Sequence, residues 1–402
     1  VGQYHGPDGS AAMAVIAPIW NIIYSFGLLC GIGGSVIYAV ARGERDDVKA
    51  ANGYFTSAFI LGTLWALILW VLVWVCEEPL LRLFGANDAL MPLCKEYMVA
   101  PKLTVPVYVF INLLSSFLRN DGDPGRATKA VIFGGIFNVF GDYFFVFTLD
   151  MGIKGAGIAT AMGASMSVLV MLTHFISKKN TLKFVKPLRI LNSFKMISVN
   201  GFSSFIVDVA MGIATMLFNR RVMEYLGTDA LAVYGVIVVV GTLVQCCSYG
   251  IGQAAQPVIS RNFGAGLTDR IKTMLKYNII TAAVFGAIWT VLSMAMPQVF
   301  IKLFMTPTPE VLSIAPGIIR IYAISFVLLP FNIYSTYYFQ AIMRAKISLI
   351  ASVARGIVIS GALILLLPVA FGGNAVWWAM PITEAVVFVY SAVMMKKVKL
   401  SR

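Results

Sequence analysis

Four ionisable residues sit in unusually apolar surroundings. Asp142 lies in NVFGDYFFVF (138–147), Asp208 in FIVDVAMG (205–212), Arg355 in SVARGIVI (352–359) and Glu384 in PITEAVVF (381–388). A charge at the centre of a bilayer costs about 2.5–3.5 kcal/mol, so it needs a partner or a function. Asp142 shares one helical face with Gly134 and Asn138, at i, i+4 spacing. The glycine lets a second helix approach, and the amide can hydrogen-bond the carboxyl. Two uses stay open for Asp142: a carboxyl that changes charge, or a protonated acid that fixes a helix contact. Asp208 belongs to a stripe of Asn200, Ser204, Asp208, Gly212, Thr215 and Asn219. A polar stripe on a membrane helix must line water or protein. Ser204, Asp208 and Asn219 are therefore cavity candidates, with substrate or ion contact and a structural hydrogen bond both open. Arg355 and Glu384 fall about 14 Å and about 18 Å from Lys346 and Lys396 at the helical rise, which makes a buried structural ion pair the economical reading.

The remaining chemistry is sparse. His5 and His174 stand apart and read as interfacial side chains. Cys30, Cys246 and Cys247 lie in apolar runs and read as core. Cys76 and Cys94 flank the segment 77–90 and could pair in an oxidising space. No metal-ligand spacing, no clustered catalytic groups and no Walker motif is present. The chain does not read as an enzyme, and it calls for no cofactor beyond a transported ion.

These residues need long apolar elements to hold them. The 402 residues are 59% hydrophobic and only 12% charged. A soluble domain cannot hide that much apolar surface. Continuous runs of about 20 residues each cross a hydrocarbon core of roughly 30 Å, whereas a barrel would need alternating strands. The fold class is all-α, polytopic and membrane-embedded. Eleven spans are read, at about 11–41, 50–76, 91–118, 126–149, 153–177, 193–222, 230–260, 269–296, 310–342, 347–370 and 375–395. The net charge of +13 does not signal nucleic acid here. Alternate connections hold 23 of the 31 Lys and Arg, and the positive-inside bias makes those connections cytoplasmic. The C-terminus is then cytoplasmic and Val1 lies outside.

The chain also repeats itself. GIGGSVIYAVAR (31–42) matches GIGQAAQPVISR (250–261) at a shift of 219 residues. LRLF (81–84) faces IKLF (301–304), Asn112 faces Asn332, and AMAV (12–15) faces ALAV (230–233), within one residue of the same shift. The organisation expected is a first lobe over 1–178, a basic cytoplasmic linker over 179–192 and a second lobe over 193–402. The helix 193–222 has no counterpart in the first lobe. Its partner, a sixth helix, is expected upstream of Val1. Parallel repeats of this kind build transporters with a site between two bundles.

GIGQAAQPVISRNFGAG (250–266), NVFGDYFFVF (138–147), FLRNDGDPGRA (117–127) and GIGGSVIYAVARGERD (31–46) together resemble the multidrug and toxic compound extrusion family. The resemblance covers nearly the whole chain, short of most of the family's first helix. It implies two six-helix lobes and an antiporter that exports small organic cations, often lipophilic drugs or toxic metabolites, driven by H⁺ or Na⁺. It assigns Asn138 and Asp142 to the cation-coupling site. It places the chain as a monomer in the plasma (inner) membrane. A lipid-linked oligosaccharide flippase shares the architecture but would need a basic cavity, and Lys and Arg avoid the spans here. An integral membrane enzyme is the more distant alternative.

Overall fold

The computed structural model describes residues 2–45, 47–187 and 189–400, with every side chain among them except those of residues 2–11, 13, 14 and 45. The His5 side chain thus lies outside the described residues. The helices are α1 (Gly2–Arg45), α2 (Val48–Val75), α3 (Glu77–Leu83), α4 (Met91–Asn120), α5 (Pro124–Tyr143), α6 (Gly152–Leu172), α7 (Ile190–Gly264), α8 (Thr268–Ala295), α9 (Pro297–Phe304), α10 (Pro309–Ala323), α11 (Ser325–Ala341), α12 (Ala345–Val353), α13 (Ile359–Phe371) and α14 (Ala379–Lys397). The described residues contain no strand.

Among the described residues, ten helical segments are long and apolar enough to cross a membrane. One of them, α7, has 75 residues and would run roughly 110 Å as a single rod. Gly227, at φ 80 and ψ −169, interrupts it, so α7 supplies two crossings. The total then agrees with the eleven spans read from the apolar runs.

The chain divides into two compact units, Val1–Val209 and Ala210–Arg402. The division falls inside α7, because its first turns pack on α1. A Cβ on Gly33 would meet the backbone of Gly201 at 2.9–3.0 Å. The internal repeat is visible in each unit by itself. A long span is followed by a short helix in both, as α2–α3 and α8–α9. Asn112 on α4 and Asn332 on α11 are both buried.

The aqueous end of the first unit holds a charge cluster, and there the structure corrects the reading of His174. That residue is not interfacial: it is 0% exposed. Its Nε2 lies 2.8 Å from Asp121 Oδ2 and its Nδ1 lies 3.3 Å from Asp123 Oδ2. Only the doubly protonated ring donates to both carboxylates. Asp121 also accepts from the Tyr38 hydroxyl at 2.9 Å, from the Thr181 backbone N–H at 2.9 Å and from the Thr181 hydroxyl. The connector that follows α6 is thereby fixed to the first unit. Asn52 extends the attachment: its Nδ2 donates to Thr181 O at 3.0 Å, and its Oδ1 accepts from Lys183 N at 3.1 Å. Thr56 Oγ1 accepts from Val185 N at 3.0 Å.

Burial raises the Asp123 pKa, but the His174 hydrogen bond and the Lys179 and Arg126 charges outweigh it and hold the carboxyl below its usual value of 3.8. A depressed carboxylate contributes stability that is present above the unfolded value and lost as pH falls through the folded one. Asp123→Asn is therefore expected to destabilise by about 1–3 kcal/mol at pH 7, the range for hydrogen bonds to a charged group. The gap to the parent protein should close below pH 3.8. Thermal unfolding in detergent at several pH values measures it, and a gap that persists in acid contradicts the assignment.

The cysteines also differ from expectation. Cys246 and Cys247 are exposed on the second part of α7, not core, while Cys30 is buried. Cys76 and Cys94 form no disulfide.

Candidate functional site

Each unit contains one polar centre beside a π turn. In the first unit, α5 and α6 pack through glycine. A Cβ on Gly163 would come 2.6 Å from the Gly134 carbonyl oxygen, closer than two atoms can stand. That contact brings the next turns together as well. Asn138 Nδ2 donates to Thr160 Oγ1 across the two helices at 3.2 Å. The Thr160 hydroxyl in turn donates to Ala156 O at 2.9 Å. Tyr97 of α4 is buried, faces Thr160 and Trp20, and stands within electrostatic reach of Asp142.

Asp142 lies one turn beyond Asn138 and two residues before the π turn Phe144–Thr148. Such turns recur at functional sites, since they re-aim side chains at little cost in backbone bonding. The Asn138 amide donates to Thr160 and not to Asp142. Asp142 Oδ1 is buried and has no hydrogen-bond partner among the described residues. Its helix neighbours Val139, Phe140 and Tyr143 are exposed. The arrangement offers one carboxylate, one amide and one hydroxyl to a small cation or a proton. Thr160 and Tyr97 were not singled out from sequence, because neutral Thr and Tyr are common in apolar helices. The small-residue run GAGIATAMGAS (155–165) was the available signal for a close helix contact.

In the second unit, Arg355 sits inside the π turn Ala354–Val358. Its Nε donates to Glu384 Oε1 at 2.8 Å. Glu384 is 0% exposed. Asn332 Nδ2 donates to the other carboxylate oxygen at 2.6 Å and to the Glu384 backbone O at 2.9 Å. Both carboxylate oxygens are therefore occupied. The buried acceptor left without a partner in this centre is the neutral Asn332 Oδ1, not a carboxylate oxygen.

Along α7, Asn200 and Ser204 are buried, Asp208 is half-buried and Asn219 is exposed. Thr215 donates to Met211 O of its own helix at 3.0 Å. The polar stripe thus runs from packed protein at one end to an open surface at the other. Where α3 meets α4, Lys102 Nζ pairs with Glu77 Oε2 at 2.6 Å and stacks 5.0 Å over Trp74. That contact accounts for Lys102 without a transport role.

The family model MatE matches residues 1–144 and 199–365. The chain is 25% identical to the multidrug export protein MepA of Staphylococcus haemolyticus, over 94% of this chain and 82% of that protein. It is 25% identical to the probable multidrug resistance protein YoeA of Bacillus subtilis, over 82% of this chain and 72% of that protein. Among solved structures, an outward-facing multidrug resistance MATE family transporter of the MOP superfamily superposes with a TM-score of 0.89 at 22% identity, covering 97% of this chain and 89% of that one. The Vibrio cholerae MATE transporter VcmN gives a TM-score of 0.88 at 17% identity, with the same coverage. These two show the fold. The match to the family model covers most of the chain, from the first residue through the π turn that carries Arg355, and with it the chain belongs to the MatE family, the multidrug and toxic compound extrusion transporters.

Proposed function

We propose that the chain exports small lipophilic, often cationic compounds in exchange for inward H⁺ or Na⁺, by alternating access, with Asp142 and Asn138 as the cation-coupling pair. The observation that carries the proposal is the buried Asp142 Oδ1, which has no hydrogen-bond partner among the described residues, one turn beyond the Asn138 that bridges to α6. The carboxylate oxygens of Glu384, by contrast, both accept hydrogen bonds. For a proton, the Asp142 carboxylate is the acceptor. For Na⁺, a hard cation that prefers oxygen, the Asp142 carboxylate, the Asn138 amide oxygen and the Thr160 hydroxyl supply ligands. One charge moving down 100 mV supplies about 2.3 kcal/mol. Exchanged for a neutral cargo, that sustains a substrate gradient of about fortyfold, at about 1.4 kcal/mol per factor of ten. For a monocation exchanged one for one, the potential cancels and the concentration gradient of the ion drives export.

The class of cargo rests on the relatives, which are named for multidrug export and resistance. Ser204, Asp208 and Asn219 are the proposed cavity contacts on α7. The protein acts as a monomer in the plasma membrane, with its C-terminus cytoplasmic. The test is efflux of a fluorescent lipophilic cation from proteoliposomes under separately imposed H⁺ and Na⁺ gradients. One gradient is expected to drive accumulation, and the other to do nothing. Movement under neither gradient overturns the antiport reading.

A further inference from the structure

We propose that the cavity between the start of α2, the connector and the first turn of α7 holds the phosphate headgroup of an anionic phospholipid. The cavity has a volume of about 1040 Å³ and is lined by Asp47, Lys49, Tyr54, Lys186, Arg189 and Asn192, among others. All of these belong to the first unit.

Charge is the first argument. Several cations of this chain have an acidic partner: Lys95 pairs with Glu78, Lys102 with Glu77, Arg126 with Asp123, Arg221 with Glu224 and Arg355 with Glu384. Lys49, Lys186 and Arg189 share one cavity, and among the described residues none of them has an ion-pair partner. Asp47 does not serve as one. Its Oδ1 caps α2, accepting from Lys49 N at 3.0 Å and Ala50 N at 2.9 Å. The cavity keeps a net charge of +2 with that carboxylate counted. Lysine and arginine side chains around one concavity, with Tyr54 and Asn192 as further donors, are the donor set that phosphate oxygens accept from.

Pre-organisation is the second argument. Lys186 follows directly on the stretch whose backbone is bonded to Asn52 and Thr56, next to the cavity residues Gly53 and Tyr54. The two walls are held against each other before any ligand arrives, so little ordering cost remains to be met on binding.

The neighbouring surface favours an amphiphile. Val48 and Leu191, adjacent in sequence to the lining residues Lys49 and Asn192, are 38% and 78% exposed. Exposed apolar side chains next to a cationic cavity suit an amphiphile, with its phosphate inside and its acyl chains outside. A free phosphate gains nothing from them. The segment also lies among the lysine-rich connections, on the side where the positive-inside bias puts the cytoplasmic leaflet and its anionic lipids.

The test uses the full chain in detergent, titrated with phosphatidylglycerol and, separately, phosphatidylcholine, with bound lipid read by native mass spectrometry. Phosphatidylglycerol should bind and phosphatidylcholine should not at the same concentration. K49Q/K186Q/R189Q should weaken phosphatidylglycerol binding about a hundredfold, the product of three cationic contacts each worth about fivefold at an anionic surface. R270Q/K276Q, which removes two exposed charges outside the cavity, should change it little. Equal loss in the two variants, or equal binding of the two lipids, overturns the site. Glycerol phosphate that displaces the lipid at matching concentration overturns the lipid and leaves a free-phosphate site in its place. Should the triple variant fail to fold, Lys186→Gln alone is expected to weaken binding about fivefold, and an unchanged affinity is then the overturning result.

Discussion

Asp142→Asn should yield a protein that folds and binds its cargo but no longer moves it against a gradient. The substitution keeps the shape of the side chain and removes its charge change. Among the described residues, Asp142 Oδ1 has no partner whose bond would be lost. Stability is expected to hold within about 0.5 kcal/mol or to rise, because a buried polar group without a partner is a cost to the folded state. Coupled efflux should fall to background, because no ionisable group is left there to carry the coupling ion. Downhill leakage of cargo can persist. Asn138→Ala provides the graded comparison. It removes the amide that bridges to Thr160 at 3.2 Å but leaves the carboxyl, so coupling should weaken without vanishing. The measurement is gradient-driven efflux beside equilibrium binding of the same fluorescent cation, in parallel preparations. Wild-type pumping by Asp142→Asn makes Asp142 a helix-packing residue and moves the search for the coupling group to Asp208.

The legibility of this site in the sequence has a simple cause. A charge in an apolar run is costly, so Asp142, Arg355 and Glu384 stand out from composition alone. The spans are equally plain, and even the break in α7 at Gly227 falls where the apolar runs 193–222 and 230–260 part. What stayed hidden was contact across distance in the chain. His174 and Asp121 are 53 residues apart, and the turn RNDGD (119–123) reads as a solvated loop until the connector folds over it. Thr160 and Tyr97 carry no charge and disturb no apolar pattern. The π turns change the helical phase by one residue, too little to see in a run that is apolar on every face. Cys246 and Cys247 show the same blindness: core and lipid are both apolar solvents, so an apolar run does not say which one a side chain faces. Asn332 was half visible, through its repeat partner Asn112, but only the folded chain brings it 2.6 Å from Glu384.

Removing either member of the Arg355–Glu384 pair should be the most damaging single change in the second unit. Arg355→Met leaves a carboxylate that is 0% exposed with no counterion. Glu384→Leu leaves a guanidinium in the same position and removes the 2.6 Å bond from Asn332 Nδ2 as well, while its bond to the backbone O of residue 384 stays. Unpaired buried charges of this kind cost about 3–5 kcal/mol, so folded yield and thermal stability in detergent should drop sharply for both. The double variant Arg355→Met/Glu384→Leu should be better than either single one. Replacing a whole buried pair by apolar groups is often neutral, because the desolvation of both charges is avoided. A residual loss of about 1–3 kcal/mol should remain from the Asn332 side-chain donor left without the Glu384 carboxylate. Adding Asn332→Leu should recover part of it, since that removes the donor along with its need. Exchange of the two charges should rescue only partly: the pair re-forms, but the Asn332 amide then donates towards an arginine, which has no acceptor. This order separates an ion pair held by a three-residue network from two unrelated polar residues. Losses in the double variant that equal the sum of the single ones would mean that the 2.8 Å contact carries no coupling at all.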